Sequence, residues 1–546
     1  MTTLFEDADA ANSIATVYTM AAGDEFYGIN AQGASDWVAV RLQAGVQYAF
    51  GAVGIGATNT GVTDPLIKLH AANGALLEAD DDGGPGLTAA LTFTATSTGT
   101  YYVEVKALAS KGDGLYGLAM TEGAVPSYSS EMGAGILYRD GDSWATAPAT
   151  AVNLTWGVRL SGPAEDAAGR PAVFIALSAA QTAATQAALG NYADVANISF
   201  TQVTPGGATN SATILVGAYN STTDGAGAYA MFPGSTASGS SDGDLWINND
   251  SVSKTSLPIG TYDYWVFLHE LGHAVGLPHP GDYNAAPGVS ITYQNAAQFV
   301  QDSNQYTVMS YFDATDTEPD APGSYADTLM IFDIYALQQM YGVNHGTRAG
   351  NDTYGFHSNL SGAYDFRLNT DPLLCIWDGA GTDTLDLSGF GGKQSIDLNA
   401  GSFSDVGGFK GNLSIAVGCE IENAVGGRGN DTIFGNDLNN VLRGGRGLDI
   451  LVGSTGNDRM LGGSGADGFV FVAGDGRDRV LDFSKAADVI SLGSDLWGGA
   501  ALTVRQVLAQ FASIQAGNLV FDFGMDKLTL QGVSSLGGMV DHILLS

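Results

Sequence analysis

Five consecutive nine-residue units, GGRGNDTIF, GNDLNNVLR, GGRGLDILV, GSTGNDRML and GGSGADGFV, begin at Gly426, Gly435, Gly444, Gly453 and Gly462. A flexible Gly/Asp linker needs neither a fixed period nor a phased apolar position, so the register argues for stacked, repeated structure. The sixth position of each unit is Asp431, Asn440, Asp449, Asp458 or Asp467, and the eighth is Ile433, Leu442, Leu451, Met460 or Phe469. One position supplies oxygen and the other fills a core. Each unit therefore reads as a tight glycine turn followed by a short strand whose apolar residue faces inward.

Stacked turns of this kind bring carbonyl and carboxylate oxygens towards one point, and calcium takes about six to eight such ligands. The candidate calcium ligands are Gly427, Gly429, Gly445, Gly447, Gly456, Gly463 and Gly465 in the turns, with Asp431, Asn440, Asp449, Asp458 and Asp467. The second unit departs from the pattern, with one initial glycine, Asp437 third and Asn440 sixth, and is expected to hold calcium less tightly. Folding coupled to several structural calcium ions follows, with the region ordered only at about millimolar calcium. The net charge of -36, from 21 basic and 57 acidic side chains, agrees with divalent counter-ions. It excludes nucleic acid and anionic membranes as partners, although acidity alone equally suits a saline medium. No apolar run approaches the roughly 20 residues of a membrane span.

A second feature is the stretch HELGHAVGLPHP, His269 to Pro280. The preceding YDYWVF supports a helix, capped by Thr261 or Asp263, on which His269 and His273 share one face and grip one metal ion. Gly276 can end the helix in a left-handed conformation, and Pro278 and Pro280 prevent its continuation, so His279 arrives as a third ligand. Three protein ligands leave one position open, the arrangement of catalytic zinc. A structural site is usually closed by four. Glu270 lies beside that face without ligating and is placed as general base towards a zinc-activated water attacking a peptide carbonyl.

The pattern His-Glu-x-x-His-x-x-Gly-x-x-His resembles the metzincin peptidases, which carry a Met-turn beneath the zinc. YTVMSYF puts Met309 in that turn and Tyr311 two residues on. With HPGDYNA after the third histidine, and NYADVANISFTQV, DIYALQQMYG, WDGAGTDTLDLSGF and IENAVGGRGNDTI in family order, residues 145 to 546 resemble the serralysin family of secreted bacterial peptidases. The resemblance implies that Tyr311 can ligate the resting zinc and then hydrogen-bond the oxyanion, while Met309 is a packing platform. It implies that Ala226, Gly227, Ala228, Tyr229 and Ala230 belong to the edge strand along which substrate lies. It also implies further calcium ligands: the carbonyls of Arg348, Gly350 and Asp352, and the side chains of Asp378, Asp383 and Glu422. Asp352 stands where the family commonly has Thr.

The fold class expected is multidomain, α/β plus all-β. Residues 1–120 read as a β-sandwich resembling the pre-peptidase C-terminal domain, from alternating runs such as DWVAVRL and TGTYYVEVKAL between glycine turns. Residues 121–144, rich in Gly and Ser without a sustained period, read as a linker. Residues 145–345 read as a metzincin catalytic domain, with a helix capped by Ser178, and 346–546 as a parallel calcium β-roll with a secretion-signal region. Asp80, Asp81 and Asp82 suit either a hairpin turn or a calcium ion. Cys375 and Cys419 are either buried thiols or one bridge.

The N-terminus MTTLFEDADAANS lacks the regions of a cleavable signal peptide. The family resemblance and the apolar ending VDHILLS imply export by a type I secretion system to the extracellular medium. The function expected is a monomeric zinc metalloendopeptidase, calcium-stabilised, acting on proteins or peptides. The alternative is a calcium-dependent adhesion or surface protein with a non-catalytic peptidase domain, against which Glu270 speaks. The sandwich departs from the family and is either an adsorbing module or an extension removed on maturation.

Overall fold

The computed structural model describes residues 2–6, 10–30, 35–55, 64–107, 114–161, 164–204, 212–237 and 240–546. They form a mixed α/β protein of two compact units: the chain up to Pro319 with Gly323–Asn344, and Asp320–Pro322 with His345–Ser546.

The first unit begins with two five-stranded sheets. One runs in the order Thr3–Phe5, Glu25–Asn30, Gly114–Glu122, Gln47–Ile55, Ala89–Thr94, and the other Thr19–Met20, Asp36–Leu42, Gly99–Ala107, Pro65–His70, Leu76–Asp80. Alternation along each strand sends one face inward, so Phe26, Phe50, Leu91 and Tyr116 from the first sheet share one core with Val38, Ile67 and Val103 from the second. Asp80 anchors the crossing from one sheet to the other, its Oδ1 accepting from the backbone N–H groups of Gly83 (2.7 Å) and Ala90 (3.0 Å), and the expected hairpin turn is absent because the two flanking strands lie in different sheets.

The expected linker is not one. Within 121–144 the chain forms a helix, Ser130–Leu137, whose residues from Met132 to Leu137 are buried. Two glycines, Gly133 and Gly135, hide it from helix propensity. They are there for close approach: a Cβ at Gly133 would collide with the Phe332 ring. The helix start is gripped by the first sheet. Ser129 caps it through the Met132 N–H, donates its own N–H to Glu25 (2.7 Å), and its Oγ lies 3.0 Å from the Tyr27 hydroxyl. Gly51 leaves room for the Tyr128 ring and Gly117 for Met132. The two sheets and the α/β part are thus one unit.

That α/β part holds a sheet built around Ile214–Asn220, which pairs in parallel with Val152–Val158 and Leu245–Asn248. The helix Ala179–Val195 starts at Ser178 with a reciprocal capping box to Gln181. The histidine helix, Tyr262–Ala274, is buried from Tyr264 onwards. The helix Ile331–Tyr341 completes the unit.

In the second unit the chain passes between two parallel sheets. One includes Asn423–Val425, Val441–Arg446, Arg459–Ser464 and Arg477–Val480, and the other Thr432–Phe434, Ile450–Val452, Gly468–Phe471 and Val489–Leu492. Asn423 pairs with Val441 and Thr432 with Ile450, so one coil takes two nine-residue units. Ile433, Leu442, Leu451, Met460 and Phe469 fill the space between the sheets, fully buried as their phase requires. Cys375 and Cys419 are buried thiols that form no disulfide.

Two glycine substitutions of the same kind should differ in sign. Gly133→Ala is expected to destabilise the first unit by about 1–3 kcal/mol by crowding Phe332. Gly190→Ala, on an exposed helical face with nothing near its Cβ, is expected to be neutral or stabilising by up to about 1 kcal/mol. Calorimetric melting of the two variants checks this.

Candidate metal centres

On the histidine helix, His269 and His273 project from one face, and the chain turns back to bring His279 against them. The Nε2 atoms of His269 and His273 each lie 3.1 Å from that of His279. Donors about 2.0–2.1 Å from one zinc ion stand roughly 3.3 Å apart, so the spacing fits that ion. Every imidazole is oriented by its other nitrogen. Nδ1 of His269 donates to the Val308 carbonyl (2.8 Å), that of His273 to Leu277 (2.7 Å), and that of His279 to Tyr283 (2.8 Å). These bonds leave all three Nε2 lone pairs facing one point. Burial depresses the three imidazoles, His273 to about 4, and so keeps them neutral and able to ligate.

The turn back depends on Gly276, whose φ of +108° is open to glycine and whose Cβ would strike the Asp142 carbonyl. The orphan carbonyls at the helix end are taken by side chains, Ala274 by Trp144 Nε1 (2.8 Å) and Val275 by the Tyr341 hydroxyl (2.6 Å). At the other end Thr261 occupies the cap position without a side-chain bond to the helix, while Asp263 accepts the Ser253 N–H instead (2.8 Å).

Glu270 follows His269 and is buried, with Oε2 lacking any hydrogen-bond partner. Burial raises its carboxyl to about 8. It lines the cleft with His273, His279 and Tyr311. The Tyr311 ring stands 4.5 Å from that of His279, and burial raises its phenol above the usual range. Met309 lies under the helix, its sulfur against the space where a Cβ of Gly272 would be. Of the five residues expected in the edge strand, Ala228, Tyr229 and Ala230 form one, antiparallel to Leu245–Asn248, and Ala226 and Gly227 lead into it. This strand has no other partner among the described residues, and it borders the cleft.

Sequence reading missed the groups that hold this geometry. Asp333, buried on the Ile331–Tyr341 helix, accepts from Thr307 Oγ1 (2.5 Å), Val308 N (2.8 Å) and Met330 N (2.9 Å), and so pins the turn carrying Met309. Asp302 accepts from the Tyr283 hydroxyl (2.8 Å) and Ser310 Oγ (2.7 Å), joining the third-histidine loop to the same turn. Asp333 is a single acid in an apolar run and Asp302 one among uncharged polar residues, and neither carries a motif that would have found it.

In the second unit the sixth-position residues form a ladder. Asp449 Oδ1 accepts the Asp431 N–H one coil away (2.8 Å), Asp467 Oδ1 that of Asp449 (3.0 Å), and Asp458 Oδ1 that of Asn440 (2.7 Å). The second oxygens of Asp449 and Asp458 are buried without a partner. The turn carbonyls close in as well: that of Gly429 occupies the place of a Cβ on Gly447, and that of Gly447 the place of one on Gly465. The ladder continues further than the five units. Asp478 Oδ1 accepts the Asp458 N–H across 20 residues, where the others span 18, and its Oδ2 is likewise unpartnered. The stretch AGDGRDRVL is a sixth unit displaced by two residues, which a strict period could not detect.

Nearer the start of this unit, Asp352, Asp378 and Asp383 bring a carboxylate oxygen each within 4.8 Å of the others. Here Asp352 joins by its side chain, where its carbonyl was expected. Asp383 Oδ1 accepts the Asp352 N–H (2.6 Å), leaving Oδ2 bare, and Glu422 accepts the Asp383 N–H (2.6 Å). Arg348, at φ +46°, donates to the Trp377 carbonyl, and Gly350 turns its carbonyl towards Gly381.

Comparison with known proteins bears on these centres. Residues 343–529 match the family model described as peptidase M10 serralysin C terminal, and 166–295 that of a dual-action HEIGH metallo-peptidase. The chain is 42% identical over 429 residues to metallopeptidase AprA of Pseudomonas marginalis, covering 74% of this chain and 88% of that protein. It is 42% identical over 276 residues to the serralysin of Photorhabdus laumondii, covering 50% of this chain and 56% of the other. A crystal structure of the pre-peptidase C-terminal domain of a Bacillus anthracis collagenase aligns at 17% identity and a TM-score of 0.16, over 19% of this chain and 93% of that one, a likeness too slight to argue from.

Asp333→Asn keeps the shape but places an amide against three donors. It is expected to cost about 2–4 kcal/mol in a melting experiment and to lower divalent-metal affinity about tenfold in a chelator competition.

Proposed function

The chain belongs to the serralysin-type metallopeptidases, and on that premise we propose that it is a secreted zinc endopeptidase stabilised by calcium. The observation that carries the reading is Glu270, a buried carboxyl without a hydrogen-bond partner beside three converging imidazoles. A zinc ion held by His269, His273 and His279 supplies Lewis-acid polarisation of the scissile carbonyl and a more acidic water. Glu270 takes the proton from the attacking water and passes it to the leaving amine. Its carboxyl lines the same cleft as His273 and His279, where it can receive that proton and return it. Tyr311, against the His279 ring in the same cleft, can donate its phenolic proton to the carbonyl oxygen as negative charge develops there.

Substrate enters as an added strand along Ala228–Ala230. Its open edge offers backbone hydrogen bonds with few side-chain demands, which suits protein and peptide substrates of varied sequence. Export by a type I system, action outside the cell and a monomeric state complete the proposal. Glu270→Gln is expected to lower casein digestion by about 10²- to 10⁴-fold while the zinc content stays at wild-type level. Equal digestion by the two proteins would rule out the role given to Glu270.

The ladder in the second unit is proposed to bind calcium through its bare carboxylate oxygens and turn carbonyls. Asn440 is the weak rung: its amide already bonds the Glu422 carbonyl (2.9 Å) and Asn436. Burial raises Asp449 to about 6, Asp458 to about 7 and Asp478 to about 8. These groups must shed protons to bind calcium, so affinity is expected to rise between pH 5.5 and 8. The sign reverses in chelator. A carboxyl raised above its unfolded value stabilises the fold at low pH and loses that contribution as pH rises through its folded pKa. The calcium-free second unit is therefore expected to keep less residual β structure at pH 8 than at pH 5.5, and the calcium-loaded one to melt higher at pH 8. Circular dichroism melts at the two pH values, with calcium and with chelator, check both signs.

A further inference from the structure

Arg139 is the only arginine or lysine among the described residues lining the cleft, a space of about 400 Å³ that also contains Glu270 and Asp282. It follows the helix Ser130–Leu137, which the N-terminal sheets hold in place. The side chain is only 10% exposed. Nη1 donates to the Ile136 carbonyl (2.7 Å) and the His279 carbonyl (2.9 Å), so the planar fork is fixed in orientation. Nε is buried without a hydrogen bond, and the ion pair to Asp140 is long, at 3.9 Å. Asp282 does not take up the vacant donor. Its oxygens accept the Gly86 N–H (3.1 Å) and the Gln298 amide (3.5 Å) instead. Gly86, from a loop of the N-terminal sheets, lies close enough that its Cβ would sit 2.6 Å from Arg139 Nε.

Nε faces the Gly86 loop and is closed to substrate, whereas Nη2 has no partner and is not buried; a preoriented guanidinium with that donor free, lining a cleft that takes peptides, matches a carboxylate. We propose that Arg139 is a specificity residue that receives a substrate carboxylate, either an Asp or Glu side chain close to the scissile bond or the free C-terminus of a short product-sized peptide. The chain's net charge of -36 opposes acidic peptides at long range. That repulsion is screened beyond about 8 Å in physiological salt, whereas the contact with Arg139 is made in a confined cleft where screening is weak. The N-terminal sheets, through Gly86, help to fix the position of the guanidinium. The inference rests on the peptidase reading above.

The test uses the full-length, calcium-loaded zinc enzyme and sets of fluorogenic peptides. The peptides carry Glu or Gln at each of three positions on either side of one scissile bond, and have free or amidated C-termini. Wild type is expected to show about a tenfold higher kcat/KM for the carboxylate member at one position. Arg139→Gln should abolish that ratio and Arg139→Lys retain part of it, while cleavage of the neutral peptides changes far less. Gly86→Ala, which crowds Nε while keeping the bonds to Ile136 and His279, should reduce the same ratio. Anisotropy of a labelled Glu or Gln peptide on the Glu270→Gln background should show the same preference in binding. An equal rate for Glu and Gln peptides in wild type overturns the subsite and leaves the peptidase reading standing. So does an equal fall for all peptides in Arg139→Gln, the mark of a purely structural arginine. No cleavage of any peptide by wild type overturns both.

Discussion

Three hydrogen bonds, from the Nδ1 atoms of His269, His273 and His279 to the carbonyls of Val308, Leu277 and Tyr283, are the constraint on which the first unit is organised. An imidazole turns freely unless its second nitrogen is held, and a metal site needs three lone pairs aimed at one point. Each accepting carbonyl must therefore be fixed in turn. Leu277 is fixed by the left-handed turn at Gly276, Val308 by Asp333, and Tyr283 by Asp302. The two aspartates are buried, and each accepts from two or more donors, which is how a carboxyl is kept in an apolar interior. The site is a set of loops, and its precision comes from these buried acceptors.

The second unit applies the same chemistry in repeated form. A carboxylate oxygen accepts a backbone N–H from the coil 18 residues away, and this bond sets the spacing between coils. The other oxygen is left bare at Asp449, Asp458 and Asp478. A bare buried oxygen is costly, so a fold built this way depends on what fills the position. The proposed calcium ions and the coil would then form together.

How much was legible depended on the kind of signal. The histidine spacing and the apolar eighth positions were readable because a helix and a strand impose their own periods. The helix Ser130–Leu137 was read as linker because Gly133 and Gly135 lower its propensity, and their purpose, contact with Phe332 and Val53, lies far away in sequence. Asp478 escaped the period because two extra residues shift its unit, although its hydrogen bond to the coil before it is unchanged in kind. Thr261 occupies the expected cap position, but its hydroxyl donates to the Pro258 carbonyl (2.7 Å).

By itself the sequence determined the candidate ligand set His269, His273 and His279 with Glu270 beside it, and the nine-residue register with its buried apolar row. Both are local periodicities, and they survive in any context that lets the helix and the turns form. Only the tertiary structure decided which carboxylates brace the metal loops, that the N-terminal sheets and the α/β part share one compact unit, and that Arg139 faces the cleft. The carboxylate braces span 3 to 26 residues without a motif, and the other two depend on contacts such as Ser129 with Glu25 and Gly86 with Asp282, 104 and 196 positions apart, which no spacing rule reaches. They exist because buried polar groups must find partners wherever the folded chain brings them.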